Sequence, residues 1–433
     1  MKTKIGKRIL TGMLSGVLLT ASLVGCGSSP ATNGGGSKAA ANGAETSEAK
    51  TPEQKQFVIG IAEAQFNDEV TTRRSYLENY IAPNYNVKFI FSEQCDDDAA
   101  TKAFIENCID SGADAIIDFK STSPQLAQLC KDNGLIYTVN GTPAAAPGLY
   151  VDMFDNFTGF VGGNNQQVAS LYGDWLRENV SDDGSEGFLI ATGLASAGNV
   201  QHAEITRAIL EGLRDKYGLK YDMSIEDLVA TANTLDATND KGIMVTLYPG
   251  APNKETWLPG VSSLIQTGNY GVILSAGQTY NQTATVVNEV EASLGMNIKV
   301  GSIGAFGSTL STAFHTMDPN GEPSVDLIVV KPVSVLTATL FAITYNGLLG
   351  KTDQSSRDAD GMPSNFRFSM ISVTRPEQLE AMEGWDDRDS QNWIANTDVV
   401  DCLLVLNNPE LTAEDIQAFL VTLNQDTISA LMK

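Results

Sequence analysis

Ser111-Gly-Ala-Asp-Ala-Ile-Ile-Asp-Phe119 joins a helix end to a short apolar strand. Ser111-Gly112 stops a helix that carries Ala103, Phe104, Cys108 and Ile109 at helical spacing. Residues 113–119 then run short and mostly apolar, as a strand does when both its faces are covered. Towards the amino end, residues 57–62 and 87–91 have the same character, and a helix with Val70, Leu77 and Ile81 lies between them. In the other direction, a helix near Ser123-Pro124 with Leu126, Leu129 and Cys130 precedes a strand over 135–139. Short apolar strands alternating with amphipathic helices predict βαβ units and a parallel sheet.

The alternation repeats. Strands are expected at 150–154, 187–192, 242–247, 270–275, 298–303 and 326–330. Helices are expected over 164–179, 199–217, 256–267, 283–294 and 333–349. Two doubly wound, Rossmann-like α/β lobes account for this much alternation without a third core. The last portion is less regular. It reads as a loop over 351–364, one strand over 366–373, a short helix and acidic loop over 376–393, and a terminal helix over 412–432.

Before the first strand lie two segments of different character. Lys2, Lys4, Lys7 and Arg8 open the chain, and an apolar run broken by small residues follows over 9–24. A basic start, a short apolar stretch and small residues before a cut site make a secretory signal. The run is shorter than the roughly 20 residues that span a bilayer. Leu23-Val24-Gly25-Cys26 resembles the bacterial lipobox, which implies a signal peptide over 1–25, cleavage before Cys26 and lipidation of its sulfur. Residues 27–55 are rich in Gly, Ser, Ala, Asn and Thr, so the segment from 26 to 55 reads as a flexible tether.

The chain has 28 basic and 52 acidic residues, a net charge of −24. That balance argues against nucleic acid and anionic lipid surfaces as partners, because both would repel it. Cys95, Cys108, Cys130 and Cys402 match no disulfide framework and no zinc pattern. Export permits a bridge, and a single bridge among them stays open.

The order of these pieces resembles the type I periplasmic binding proteins, in particular the sugar-binding lipoproteins of ABC importers. The features that carry the resemblance are the polar loop at 64–68, the 111–118 strand entry, the Asp155-Asn156 pair and Leu348-Leu-Gly-Lys351. The resemblance implies two lobes joined by a three-crossing hinge near Asp155, Lys331-Pro332 and Asn365. The lobes would be 56–155 with 332–365, and 156–331 with 366–433 including an extended tail. It further implies a membrane-anchored monomer on the extracytoplasmic face of a Gram-positive-type cell, which captures a sugar and delivers it to the ABC permease transmembrane subunits. A sensing lipoprotein that presents its closed form to a receptor kinase is the alternative.

By position in that family, the ligand residues would be Phe66 and Asn67 after the first strand, Asn140, Arg207, Gln278 and Lys331. Tyr248, Trp257 and Tyr280 are the aromatic candidates for a sugar face. Core packing is the competing role for Trp257 and Tyr248, and a helix-face salt bridge for Arg207. Two strand-end carboxylates usual in sugar binders are missing, which leaves room for an anionic or heavily substituted ligand. No cofactor, metal or catalytic residue is expected. Gly350-Lys351-Thr352 ends a helix and lacks the earlier Gly of a phosphate loop. His202 and His315 have no partner at metal-ligand spacing. Asp386 to Asp389 lacks the turn Gly and closing Glu of an EF-hand loop and reads as a solvated acidic surface.

Overall fold

β1 (Phe57–Glu63) is buried along almost its whole length, and its neighbours in the first lobe pair with it on both sides. The computed structural model describes residues 55–64, 67–95, 97–119, 123–143, 155–252, 254–305, 308–382, 384–389 and 392–432. The expected signal, Cys26, most of the tether, Phe66 and the expected strand at 150–154 lie outside the described residues.

After β1 come α1 (Asp68–Tyr76), a wide turn of helix (Leu77–Ile81), α2 (Ala82–Tyr85), β2 (Val87–Gln94) and α3 (Asp98–Asp110). Then follow β3 (Ala115–Asp118), α4 (Pro124–Asp132), β4 (Ile136–Asn140) and β5 (Phe157–Gly163). The second lobe begins with α5 (Asn165–Asn179), β6 (Phe188–Gly193), α6 (Val200–Tyr217), α7 (Ile225–Val229) and β7 (Leu235–Asp236). It continues with β8 (Val245–Pro249), α8 (Trp257–Ile265), β9 (Val272–Ser275), α9 (Tyr280–Leu294), β10 (Lys299–Ala305), α10 (Ser308–His315) and β11 (Leu327–Lys331). The chain returns through α11 (Val333–Leu348), α12 (Thr352–Ser355), β12 (Asn365–Phe368) and β13 (Ile371–Val373). It closes with α13 (Pro376–Glu380), α14 (Thr397–Cys402), α15 (Ala413–Thr422) and α16 (Gln425–Leu431).

The first sheet has the order β12-β5-β4-β3-β1-β2 and is parallel throughout. The second has the order β13-β11-β10-β9-β6-β8-β7, with antiparallel edge strands β13 and β7. Two α/β lobes with parallel-dominated sheets are therefore present. The chain passes between them three times: from β5 to α5, from β11 to α11, and from β12 to β13.

The lobe boundaries differ from the sequence reading. β5 belongs to the first sheet, not to a lobe starting at 156; its three glycines weaken any strand signal. Likewise, the apolar run at 366–373 is two strands. β12 closes one sheet and β13 the other, with Ser369 and Met370 between them. The tail is shared by both lobes: α13 packs on α10 and β13, whereas α14 packs on α11 and α15 on β12. The expected helix over 412–432 breaks at Leu423, and the Asn424 side chain caps α16 by accepting from Thr427 N.

An edge strand keeps one row of backbone N–H and C=O groups without a strand partner. At the third crossing, three glutamines take that role. Gln417 Oε1 accepts from Arg367 N at 2.7 Å and its Nε2 donates to Arg367 O at 2.9 Å. Gln167 does the same for Met370, at 2.8 and 3.2 Å, and Gln425 for Ser372, at 3.1 and 2.9 Å. Gln417 lies on α15, Gln167 on α5 and Gln425 on α16, so helices from different parts of the chain hold one hinge segment.

α11 is buried from Val333 to Gly347, so its first N–H groups are shielded from water. Asp386 meets them from the tail, accepting from Ser334 N at 2.9 Å, from Ser334 Oγ, and from Ile394 N at 3.0 Å. Asp386 is thus fully buried instead of lying on a solvated acidic surface. Burial pushes its carboxyl pKa up, and the Ser334 and Ile394 donors offset only part of that. Cys95, Cys108 and Cys130 are buried and Cys402 is exposed, and none of the four is in a disulfide. Among the described residues no helix is long and apolar enough to cross a membrane.

Gln417→Ala and Gln425→Ala each strip one hinge residue of both backbone partners. Each substitution is expected to lower stability by about 1–2 kcal/mol. In hydrogen exchange, the amides of Arg367 and Ser372 should lose protection before those of β1. Unchanged protection at both amides would contradict the clamp.

Candidate ligand-binding site

Ligands of parallel α/β sheets bind beyond the carboxyl ends of the strands. Here a cavity of about 290 Å³ lies at those ends in both lobes. From the first sheet come Phe119 just past β3, Asn140 at the end of β4, Gly162 and Gly163 at the end of β5, and Arg367 with Phe368 in β12. From the second lobe come Asn165, which opens α5, Asn199 and Gln201, which open α6, and Lys331, which ends β11.

A chain of charges, part-buried at Lys331 and Glu69 and buried at Arg73 and Glu63, runs back from this wall. Lys331 Nζ donates to both oxygens of Glu69 at 3.0 and 3.1 Å. Glu69 also pairs with Arg73 at 3.3 Å, and Arg73 makes a two-pronged contact with Glu63 at 2.9 and 2.7 Å. Glu63 ends β1 and Glu69 and Arg73 are on α1, so the chain ties the first lobe to the last residue of β11 in the second. Burial works against the ionised Glu69, but Lys331 and Arg73 outweigh it and hold its pKa below the ordinary carboxylate value. For Glu63, burial wins over Arg73 and its pKa is raised. The Arg73 guanidinium also lies 3.7 Å from the centre of the Phe119 ring and holds that ring in place at the cavity.

His202, on the first turn of α6, accepts from Leu194 N through Nδ1 at 2.9 Å. The imidazole fits only because residue 193 is glycine, with φ +59°; a Cβ there would stand 2.4 Å from Nδ1. Burial, and after it the charge of Lys331, pushes the His202 pKa down to about 4. The ring is therefore neutral at pH 7.

The residues singled out from the sequence go to different places. Asn140 and Lys331 come together at the cavity. Asn67 is the cap of α1, with its side chain accepting from Val70 N at 3.0 Å. Arg207 pairs with Glu226 at 3.7 Å, a helix-to-helix contact between α6 and α7. Tyr248 and Trp257 pack on each other edge to face, with ring centres 5.7 Å apart, and Tyr248 Oη donates to Trp257 O at 2.9 Å. Gln278 is exposed, and Tyr280 is buried where the charge of Asp68 helps to raise its pKa after burial itself. Asn67, Arg207, Tyr248, Trp257, Gln278 and Tyr280 are not among the residues that line the cavity. Sequence reasoning passed over Phe119, Asn165, Asn199, Gln201 and Arg367. The signal for Phe119, Asn165 and Asn199 was there, since each stands at a strand end or a helix start. Arg367 carried no such mark inside an apparently continuous strand.

Two sheets that share three crossings, with a cavity at their facing strand ends, define the fold of the type I periplasmic binding proteins, and this chain has that fold. Among solved structures, it is similar to an ABC transporter solute binding protein from Bacillus halodurans with bound myo-inositol. That match has 18% identity and a TM-score of 0.53, over 77% of this chain and 99% of the other. A periplasmic solute binding protein from Actinobacillus succinogenes with bound D-allose matches at 14% identity and a TM-score of 0.54, over 75% and 99%. A solute binding protein from Burkholderia graminis in complex with D-arabinose matches at 16% and 0.53, over 74% and 96%. No protein-family model and no curated protein matches the sequence.

The depressed His202 pKa gives a pH test. The unfolded chain takes up that proton near the ordinary value of 6.5 and the folded chain only near about 4. Stability from this group is thus full above 6.5 and falls as the pH drops towards 4. Relative to His202→Gln, the parent is expected to lose about 3 kcal/mol across that window. Parallel stability profiles for the two proteins would contradict the assignment.

Proposed function

We propose that this protein is an extracytoplasmic, non-catalytic solute-binding lipoprotein that captures a small polar ligand, a sugar, for an ABC importer. The observation that carries the reading is the cavity at the carboxyl ends of both sheets, walled by the planar amides of Asn140, Asn165, Asn199 and Gln201 and the ring of Phe119. Planar amides offer donors and acceptors to hydroxyl groups, and an aromatic face packs against C–H groups. The sugars and polyol named with the similar structures support the same class.

In this reading the two lobes close about the three crossings and bury the ligand. Asn140 and Phe119 approach from the first lobe, Gln201 and Lys331 from the second. The closed form is what the permease transmembrane subunits recognise. Cys26 anchors the chain by lipid, and residues 27–55 let the lobes reach the permease while keeping them near it. A monomer suffices, because both walls come from one chain.

A thermal-shift panel of sugars and polyols tests the reading. A ligand at a hundredfold excess over its Kd stabilises by about 2.7 kcal/mol. At least one compound is expected to raise the Tm, and Gln201→Ala should weaken its binding by about tenfold. No response to any compound in the panel would overturn the proposal.

A further inference from the structure

We infer that Thr142 is a ligand contact that helps to set specificity, its hydroxyl binding one oxygen of the captured molecule. This rests on the cavity being the ligand site, as proposed above. Thr142 stands two residues past the end of β4 and lines the cavity beside Asn140 and Gly141.

Thr142 is only 9% exposed, and its Oγ1 is shut off from water with no hydrogen-bond partner among the described residues. The two residues before it are committed to β5, since Asn140 Nδ2 and Gly141 N each donate to Val161 O at 3.0 Å. A buried hydroxyl left without a partner costs free energy, so most buried polar groups are paired and an exception calls for a reason. Among the described residues that line the cavity, Thr142 alone carries a buried polar side-chain atom in that condition. A ligand oxygen in the cavity supplies the reason.

Other polar groups of the wall are already oriented by bonds inside the protein. Asn140 gives its NH2 group to a carbonyl and Asn165 gives its own to Glu204, so each keeps its Oδ1 as an acceptor. Asn199 does the reverse: its Oδ1 accepts from His202 N at 3.0 Å, which leaves its NH2 group as a donor. Lys331 is paired with both oxygens of Glu69. The oriented amides thus offer acceptors at Asn140 and Asn165 and a donor at Asn199. A threonine hydroxyl both donates and accepts. Thr142 can therefore meet a ligand hydroxyl whichever way that group's proton points.

The test uses the full chain with D-glucose, D-galactose, D-ribose, D-allose, D-arabinose and myo-inositol as probes, and reads binding by titration calorimetry. For the tightest-binding probe, Thr142→Val, which keeps the shape without the hydroxyl, should weaken binding about tenfold. Thr142→Ser, which keeps the hydroxyl, should weaken it less. At least one monodeoxy derivative of that probe should bind the parent about tenfold more weakly than the probe does, yet bind Thr142→Val as well as the probe does. Without ligand, the Tm of Thr142→Val should match or exceed that of the parent, because the substitution removes an unmet polar group. Unchanged affinity in Thr142→Val would overturn this inference and leave the sugar-binding reading standing. So would a lower Tm without ligand, which would show that the hydroxyl has a partner inside the protein. No binding of any probe by the parent would overturn both.

Discussion

A residue at the edge of a sheet must find partners for its backbone outside that sheet, and the third crossing of this chain stands at the edge of both sheets at once. Within six residues, Arg367 to Ser372, the chain leaves the first sheet and joins the second with reversed direction. No strand can pair with both halves. Gln417, Gln167 and Gln425 supply an amide pair for Arg367, Met370 and Ser372 in turn. This satisfies the backbone without tying the two sheets into one. It also sets where Arg367 stands, and therefore one wall of the cleft. The helices that bring the glutamines come from the second lobe and from the tail, so the tail is part of the hinge.

The second crossing also depends on partners brought from elsewhere in the chain. Lys331 ends β11, and two residues later α11 begins as a helix buried all round. Its amino end is shut off from water by Asp386, which the tail brings back to it. Lys331 reaches across to Glu69 and, through it, to Arg73 and Glu63. Such a chain of buried and part-buried ions contributes little net stability compared with apolar packing, but removing one member leaves its neighbour unpaired. Its structural effect is to relate the end of one sheet to the end of the other, and the cavity lies between those ends.

The fold was legible in the sequence where one segment alone decides the outcome. β1, β3, β9 and β11 are apolar runs covered on both faces, and their composition shows it. The strand β5 was not legible, because its glycines are set by what packs on it: Ser364 O would lie 2.4 Å from a Cβ on Gly159. Nor could composition divide 366–373 between two sheets, since the division depends on glutamines at residues 167, 417 and 425. In the cleft, Asn140 and Lys331 could be found by their place at strand ends. Arg207, Tyr248 and Trp257 could not be sorted in advance, because a ligand contact and a packing contact use the same side chains. Their partners, Glu226 in one case and each other in the second, are visible only in three dimensions.

A crystal structure grown with the tightest-binding compound of the sugar and polyol panel would place the ligand directly. Density is expected between Phe119, Asn140 and Arg367 on one side and Gln201 and Lys331 on the other, touching both lobes. Density held by one lobe alone, such as against Trp257 and Tyr248, would contradict a ligand site between the lobes.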